Sequence, residues 1–310
     1  MLIPRVSVAT RSGLIALVAL LVVVSGCGGP PSLVGTQRSY TYCENGGVAE
    51  TLDVYEPTSS IRSAPAMVDI HGGGWVSGDA NLQPGSVDWD VESALVSNGW
   101  VFVSINYRLA PTYRWPAQLQ DAKCAVRYLR ANAPALHIDP TRIGVIGASA
   151  GGHLASMLGL TGNQVAFDEG GFLNESSAVE AVVDEYGPTD LTSPEWPGSK
   201  IQRVFSKLTF GVEVGQQSPT LVAASPVTYV HPGAPPFLVI QGANDIVVPS
   251  GQSQELVRLL KGAGDEATLI MVRNAGHGLL QSGKGPLDPD VATVAADTVR
   301  FLTQQLSPRR

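Results

Sequence analysis

No run of lysine or arginine occurs anywhere in the 310 residues, and only 15% of them are charged, summing to −7. Nucleic acids and anionic lipids select basic surfaces, so the overall balance argues against either as the ligand. Cysteine is scarce, with three in the chain, and no Cys, His, Asp or Glu residues cluster at metal-ligand spacings. No glycine stretch is followed by Lys-Ser or Lys-Thr and no G-x-G-x-x-G occurs, which removes the common phosphate and dinucleotide loops. Internal repeats and low-complexity tracts are absent as well. The remaining composition, 44% hydrophobic, is that of an ordinary globular chain with enough apolar residues for one substantial core.

Long hydrophobic runs are also missing. The run from Leu14 to Val24 has eleven apolar residues, short of the roughly 20 that a membrane-spanning helix needs. Arg5 and Arg11 precede it and Ser25, Gly26 and Cys27 follow, the layout of an export signal. The sequence V-S-G-C resembles the lipobox of bacterial lipoproteins, which makes Cys27 the lipidated first residue of the mature chain; the other reading is a plain secretory signal. The expected organisation is a signal over 1–26, a tether over 27–45 that includes Gly28, Gly29, Pro30, Pro31 and Ser32, and one domain over 46–308. The expected location is the outer face of the membrane in the cell envelope. The two other cysteines, Cys43 and Cys124, fit one disulfide outside the cytoplasm, or two buried thiols.

Past the tether, short β-branched runs alternate with stretches of helical spacing. Strands are expected at 48–55, 66–70, 101–105, 142–146, 179–183, 237–240 and 268–272, and helices at 118–132, 252–261 and 291–306. In the first helix Leu119, Ala122, Val126 and Leu129 form one apolar stripe. Alternation of this kind implies a mainly parallel sheet with helices on both faces. The segment from 191 to 236 breaks the rhythm: it is rich in Pro, Gly and Ser, carries Trp196, Phe205 and Phe210, and is expected to be a small insertion or lid.

Gly147-Ala148-Ser149-Ala150-Gly151 follows one of these strands and precedes a segment that can continue as a helix. This is the context of a nucleophile elbow, in which a serine hydroxyl projects from a sharp strand-to-helix turn. His71-Gly72-Gly73-Gly74-Trp75 follows another strand, and its glycines leave backbone N–H groups free to converge with that of Ala150 on an oxyanion. A serine nucleophile needs a base, and five histidines are present. Asp245 and His277 lie just past successive strands, in the order Ser, acid, His that this fold uses. His231 precedes the acid, His153 sits behind the elbow, and His71 and His137 belong to loops.

With these motifs, N-Y-R-L-A-P at Asn106 to Pro111 and G-P-T-D-L at Gly187 to Leu191, the sequence resembles the hormone-sensitive-lipase-like and feruloyl/acetyl-xylan-esterase-like branch of the α/β-hydrolases. The resemblance runs from Val48 onward and implies a serine carboxylesterase needing no metal or cofactor. Ser149 would be nucleophile, His277 base and Asp245 its partner, with the backbone of Gly73, Gly74 and Ala150 as oxyanion donors and Gly72 as a replacement for one of them. About forty mature residues precede H-G-G-G, fewer than the cap of many relatives, which implies an open site and short acyl chains on a small-molecule or polymer-borne ester. Trp75, Tyr107 and Trp115 are candidates for an aromatic-accepting pocket or for packing. Two other readings are a serine peptidase of the same fold and a noncatalytic, surface-anchored binding protein.

Overall fold

The computed structural model describes residues 35–58, 63–82, 84–196 and 198–306. The expected signal, Cys27, the first part of the tether and residues 307 and 308 of the expected domain lie outside the described residues. Eight strands form one sheet: β1 (Thr36–Asn45), β2 (Val48–Glu56), β3 (Ala64–Ile70), β4 (Val101–Ile105), β5 (Ile138–Ala148), β6 (Ala181–Glu185), β7 (Phe237–Gly242) and β8 (Ala267–Val272). Their order is β1-β2-β4-β3-β5-β6-β7-β8. Strands β3 to β8 run parallel, while β2 is antiparallel to both β1 and β4, so β1 points the same way as the parallel set.

The sheet is a mainly parallel one covered on both faces, as the alternation predicts. On one face Val68, Val103, Val145, Val182 and Val239 pack with residues of α2 (Ala117–Ala131), α3 (Ala150–Thr161) and α6 (Gly251–Ala263). On the other, Met67, Phe102, Ile146, Val183 and Leu238 pack with α1 (Val87–Ser97) and α7 (Val291–Leu306). Helix α1 has no counterpart among the expected elements, because it buries Glu92 with its valines and leucine and so shows a blurred apolar stripe. Its start is fixed by Ser86, whose hydroxyl accepts the Trp89 N–H at 3.2 Å.

The tether is shorter than expected. Residues 36–45 are strand β1, paired with β2 from Thr36 opposite Glu56 to Asn45 opposite Val48. Gly46 and Gly47, both at positive φ (59° and 78°), form the two-residue turn between them, a conformation that favours glycine. The domain therefore begins at or before 36. Cys43 on β1 and Cys124 on α2 are paired as a disulfide with Cα atoms 6.4 Å apart.

The segment 191–236 folds as α4 (Lys200–Phe210), α5 (Pro219–Ala223) and a 3-10 turn, Pro226–Tyr229. Leu191, Trp196, Phe210, Val214 and Leu221 from it join the core, so the insertion is built into the domain. Among the described residues no helix is long and apolar enough to cross a membrane.

Candidate active site

Ser149 occupies the turn between β5 and α3 at φ 56° and ψ −114°, a backbone conformation that a residue with a side chain rarely adopts. Its N–H donates to the Glu185 carbonyl at 2.8 Å, tying the turn to β6. The bend also needs Gly151, because a Cβ there would run into the Ile70 carbonyl. The sharp turn lifts the Ser149 hydroxyl above the carboxyl ends of the strands, where parallel sheets build their sites.

Asp245 and His277 emerge at the same edge, after β7 and β8. His277 Nε2 lies 2.9 Å from Ser149 Oγ and His277 Nδ1 lies 2.8 Å from Asp245 Oδ2. The carboxylate is inaccessible to solvent and held from three directions. Its Oδ1 accepts the N–H groups of Val247 at 2.7 Å and Val248 at 3.0 Å, and its Oδ2 accepts Gln241 Nε2 at 3.1 Å. Gln241 is itself oriented by Ser253 Oγ, which donates to its Oε1 at 2.7 Å. The Tyr186 ring stands edge-on to the imidazole with centroids 5.0 Å apart. This relay can take the hydroxyl proton of Ser149 and keep the resulting imidazolium beside an anion.

The other four histidines are engaged elsewhere. His153 is buried, and its Nδ1 accepts Trp75 Nε1–H at 3.2 Å while its Nε2 lies 2.7 Å from the Ala224 carbonyl. Burial pushes its pKa down to about 4, so the ring is neutral and serves as packing behind the elbow. His71 stacks on Tyr107 with centroids 4.2 Å apart, and burial lowers its pKa. His137 lies 3.5 Å from Glu56, and His231 is an exposed loop residue.

The glycine loop follows β3 and faces Ser149. Gly73 (φ 106°) and Gly74 (φ 62°) use left-handed backbone, and a Cβ on Gly74 would stand 2.5 Å from the Phe205 ring on α4. Gly72, Gly73, Gly74 and Ala150 line one cavity together with Ser149 and His277. Ala150 is the first residue of α3, so its N–H has no carbonyl partner within the helix. The cavity has a volume of about 440 Å³ and a mostly apolar wall that includes Trp75, Tyr186, Trp196, Ile201, Phe205 and Val248.

Of the three aromatic candidates, only Trp75 reaches this cavity. The Tyr107 hydroxyl donates to the His71 carbonyl at 3.0 Å, and Trp115 packs against His153, Phe167 and Phe210. The rest of the aromatic wall comes from Tyr186, just past β6, and from Trp196 and Phe205 of the 191–236 segment. Gln241 and Ser253 went unmarked, although Gln241 lies only four residues ahead of Asp245. Among the described residues no group of three His, Cys, Asp or Glu side chains is placed to hold a metal ion.

Comparison with known proteins gives a consistent picture. The BD-FAE family pattern matches residues 52–260. The chain is 32% identical over 283 residues to esterase LipC of Mycobacterium tuberculosis, covering 88% of this chain and 69% of LipC. It is 33% identical to esterase LipQ of the same organism over 76% of this chain, but it spans only 55% of LipQ. A truncated carbohydrate esterase from gut microbiota superposes with a TM-score of 0.75 at 28% identity, covering 90% of this chain and 100% of that one. A thermophilic esterase of the Planctomycetes species Thermogutta terrifontis gives 0.68 at 25% identity, covering 88% and 94%.

Proposed function

Given that the chain belongs to the BD-FAE family of carboxylic ester hydrolases with the α/β-hydrolase fold, we propose that it is a serine carboxylesterase working through Ser149, His277 and Asp245. The observation that carries this reading is the unbroken line of contacts from Ser149 Oγ to His277 at 2.9 Å and on to Asp245 at 2.8 Å, on the wall of an apolar cavity. Ser149 attacks the ester carbonyl as His277 takes its proton. The N–H groups of Gly73, Gly74 and Ala150 receive the negative charge of the tetrahedral intermediate; donors of this kind each contribute about 3 kcal/mol. His277 returns the proton to the departing alcohol, and the acyl-enzyme is then hydrolysed by a water that His277 activates in the same way.

A cavity of about 440 Å³ lined by Trp196 and Phe205 favours a short acyl group, with acetyl and aryl esters as the substrate class. We further propose that the chain is exported and held at the outer face of the membrane through a lipidated Cys27. The test of the chemistry is hydrolysis of p-nitrophenyl esters of increasing chain length. Activity should peak on the shortest chains, and Ser149→Ala should lower kcat by about 10⁴-fold or more. Equal activity in that variant, or none in the folded parent on any chain length, would remove Ser149 as the nucleophile.

A further inference from the structure

Helix α4 is turned against its own polarity. Its buried residues are Ser206, Thr209 and Phe210, whereas Ile201 and Val204 are 60% and 53% exposed. Two more apolar side chains stand free nearby. Ile246 is 90% exposed in the loop that carries Asp245, and Leu280 is 69% exposed just past Gly278. Ile201, Val247, His277 and Gly278 line the cavity, and Val204, Ile246 and Leu280 each lie within three residues of one of them in sequence. Single exposed leucines are ordinary, but several exposed apolar side chains beside the residues that line one opening point to an interaction surface.

The charges on α4 say what that surface meets. The helix carries Lys200, Arg203 and Lys207 and no acid. Arg203 lies 3.9 Å from Glu213, beyond the helix end, while Lys200 and Lys207 are exposed. At about 100° per residue, Lys207 and Lys200 border Val204, and Leu208, Ile201 and Phe205 follow in turn toward the cavity. A cationic border beside an apolar stripe is the pattern of a helix lying in a lipid interface, its lysines on anionic headgroups and its apolar face among the acyl chains. The net charge of −7, which argues against an anionic partner for the molecule as a whole, acts only weakly at α4, because charges more than about 8 Å away are largely screened at physiological salt.

We propose that α4, together with Ile246 and Leu280, is a docking surface for an anionic lipid layer and seats the mouth of the cavity on it. The proposal goes beyond the esterase reading and does not depend on Ser149 attacking any ester. Its test is amide hydrogen exchange on the full chain carrying Ser149→Ala, with vesicles of phosphatidylcholine and phosphatidylglycerol in equal parts and with phosphatidylcholine alone. The anionic vesicles should slow exchange in 200–210, 245–248 and 277–281 by about tenfold or more, and the neutral ones far less. Adding Val204→Gln and Ile246→Gln should abolish that protection. In the Ser149 parent, the same pair should leave hydrolysis of a soluble short ester within about twofold.

Exchange in these segments that ignores the anionic vesicles overturns the proposal, even if the chain is held to them through its N-terminal segment. So does protection that survives the double substitution, or equal protection on both vesicle types. Protection without vesicles, accompanied by a dimer, overturns it in favour of a second copy of this chain. An inactive parent enzyme would count against the catalytic reading alone, since the exchange is measured on a variant without the nucleophile.

Discussion

Asp184 sits in β6 beside the elbow, with no solvent exposure, and is satisfied locally. Its Oδ2 accepts Ser156 Oγ at 2.5 Å and its Oδ1 accepts the Gly187 N–H at 2.8 Å. Burial nevertheless pushes its pKa up to about 6 against these two stabilising bonds. An unfolded aspartate titrates near 4, so between the two values the folded chain holds a proton that the unfolded chain has released. The stability from that protonated form is full below about pH 4 and is lost as pH rises through about 6. Asp184→Asn keeps an acceptor for Gly187 and cannot ionise. Thermal melts should therefore show the variant more stable than the parent at pH 8, by up to about 3 kcal/mol, with a flatter profile between pH 4 and 6. Parallel profiles would show that this carboxyl holds no extra proton. The slope left in the variant comes from the other carboxyls that burial pushes up, Glu50, Asp69, Asp88, Glu92, Glu180 and Glu185 among them. Ser149, Asp245 and His277 were legible because each follows a strand within a short, distinctive motif. Asp184 was not, because its significance comes from what folds over it.

Strand β1 lies at the edge of the sheet, with β2 as its single strand neighbour. Beyond that pairing, the Tyr42 hydroxyl donates to the Asn106 carbonyl and Asn45 Nδ2 to Asp121, and a covalent bond from Cys43 to Cys124 joins residues 81 apart in sequence. Closing a loop of that length removes enough freedom from the unfolded chain to stabilise the fold by about 4 kcal/mol in the chain-entropy account. Cys43→Ser should lower the melting temperature to that extent and make it insensitive to reductant. Because the proposed catalytic side chains follow β5, β7 and β8, kcat on a soluble ester at 25 °C should change little; a large loss of kcat would mean that β1 shapes the site. The elements differed in how plainly they could be read. Central strands such as β4 and β7 open on apolar runs, Val101 to Val103 and Phe237 to Ile240, and α2, α6 and α7 carry clear stripes, so period alone revealed them. β1 exposes most of its residues and α4 buries hydroxyls while exposing isoleucine and valine, so neither follows the pattern by which soluble elements are recognised.

Across the whole molecule, the direction of the strands sorts the surface into two ends. The carboxyl ends of β5, β7 and β8 carry Ser149, Asp245 and His277, while Thr36 pairs with Glu56 beside the first residues of β4, at the other end. Cys27→Ser should move the protein from the membrane fraction to the soluble one, since acyl chains supply about 0.8 kcal/mol per buried methylene; an unchanged distribution would count against lipidation there. The direction of β1 has a consequence for any such hold, whether an acyl chain, an engineered tag or a resin. A grip taken on the chain ahead of Gly35 meets the domain at the pole opposite the mouth. For the mouth to rest on the same surface that holds the chain, the residues ahead of Gly35 would have to run the height of the sheet, so their reach decides whether both contacts can be made at once.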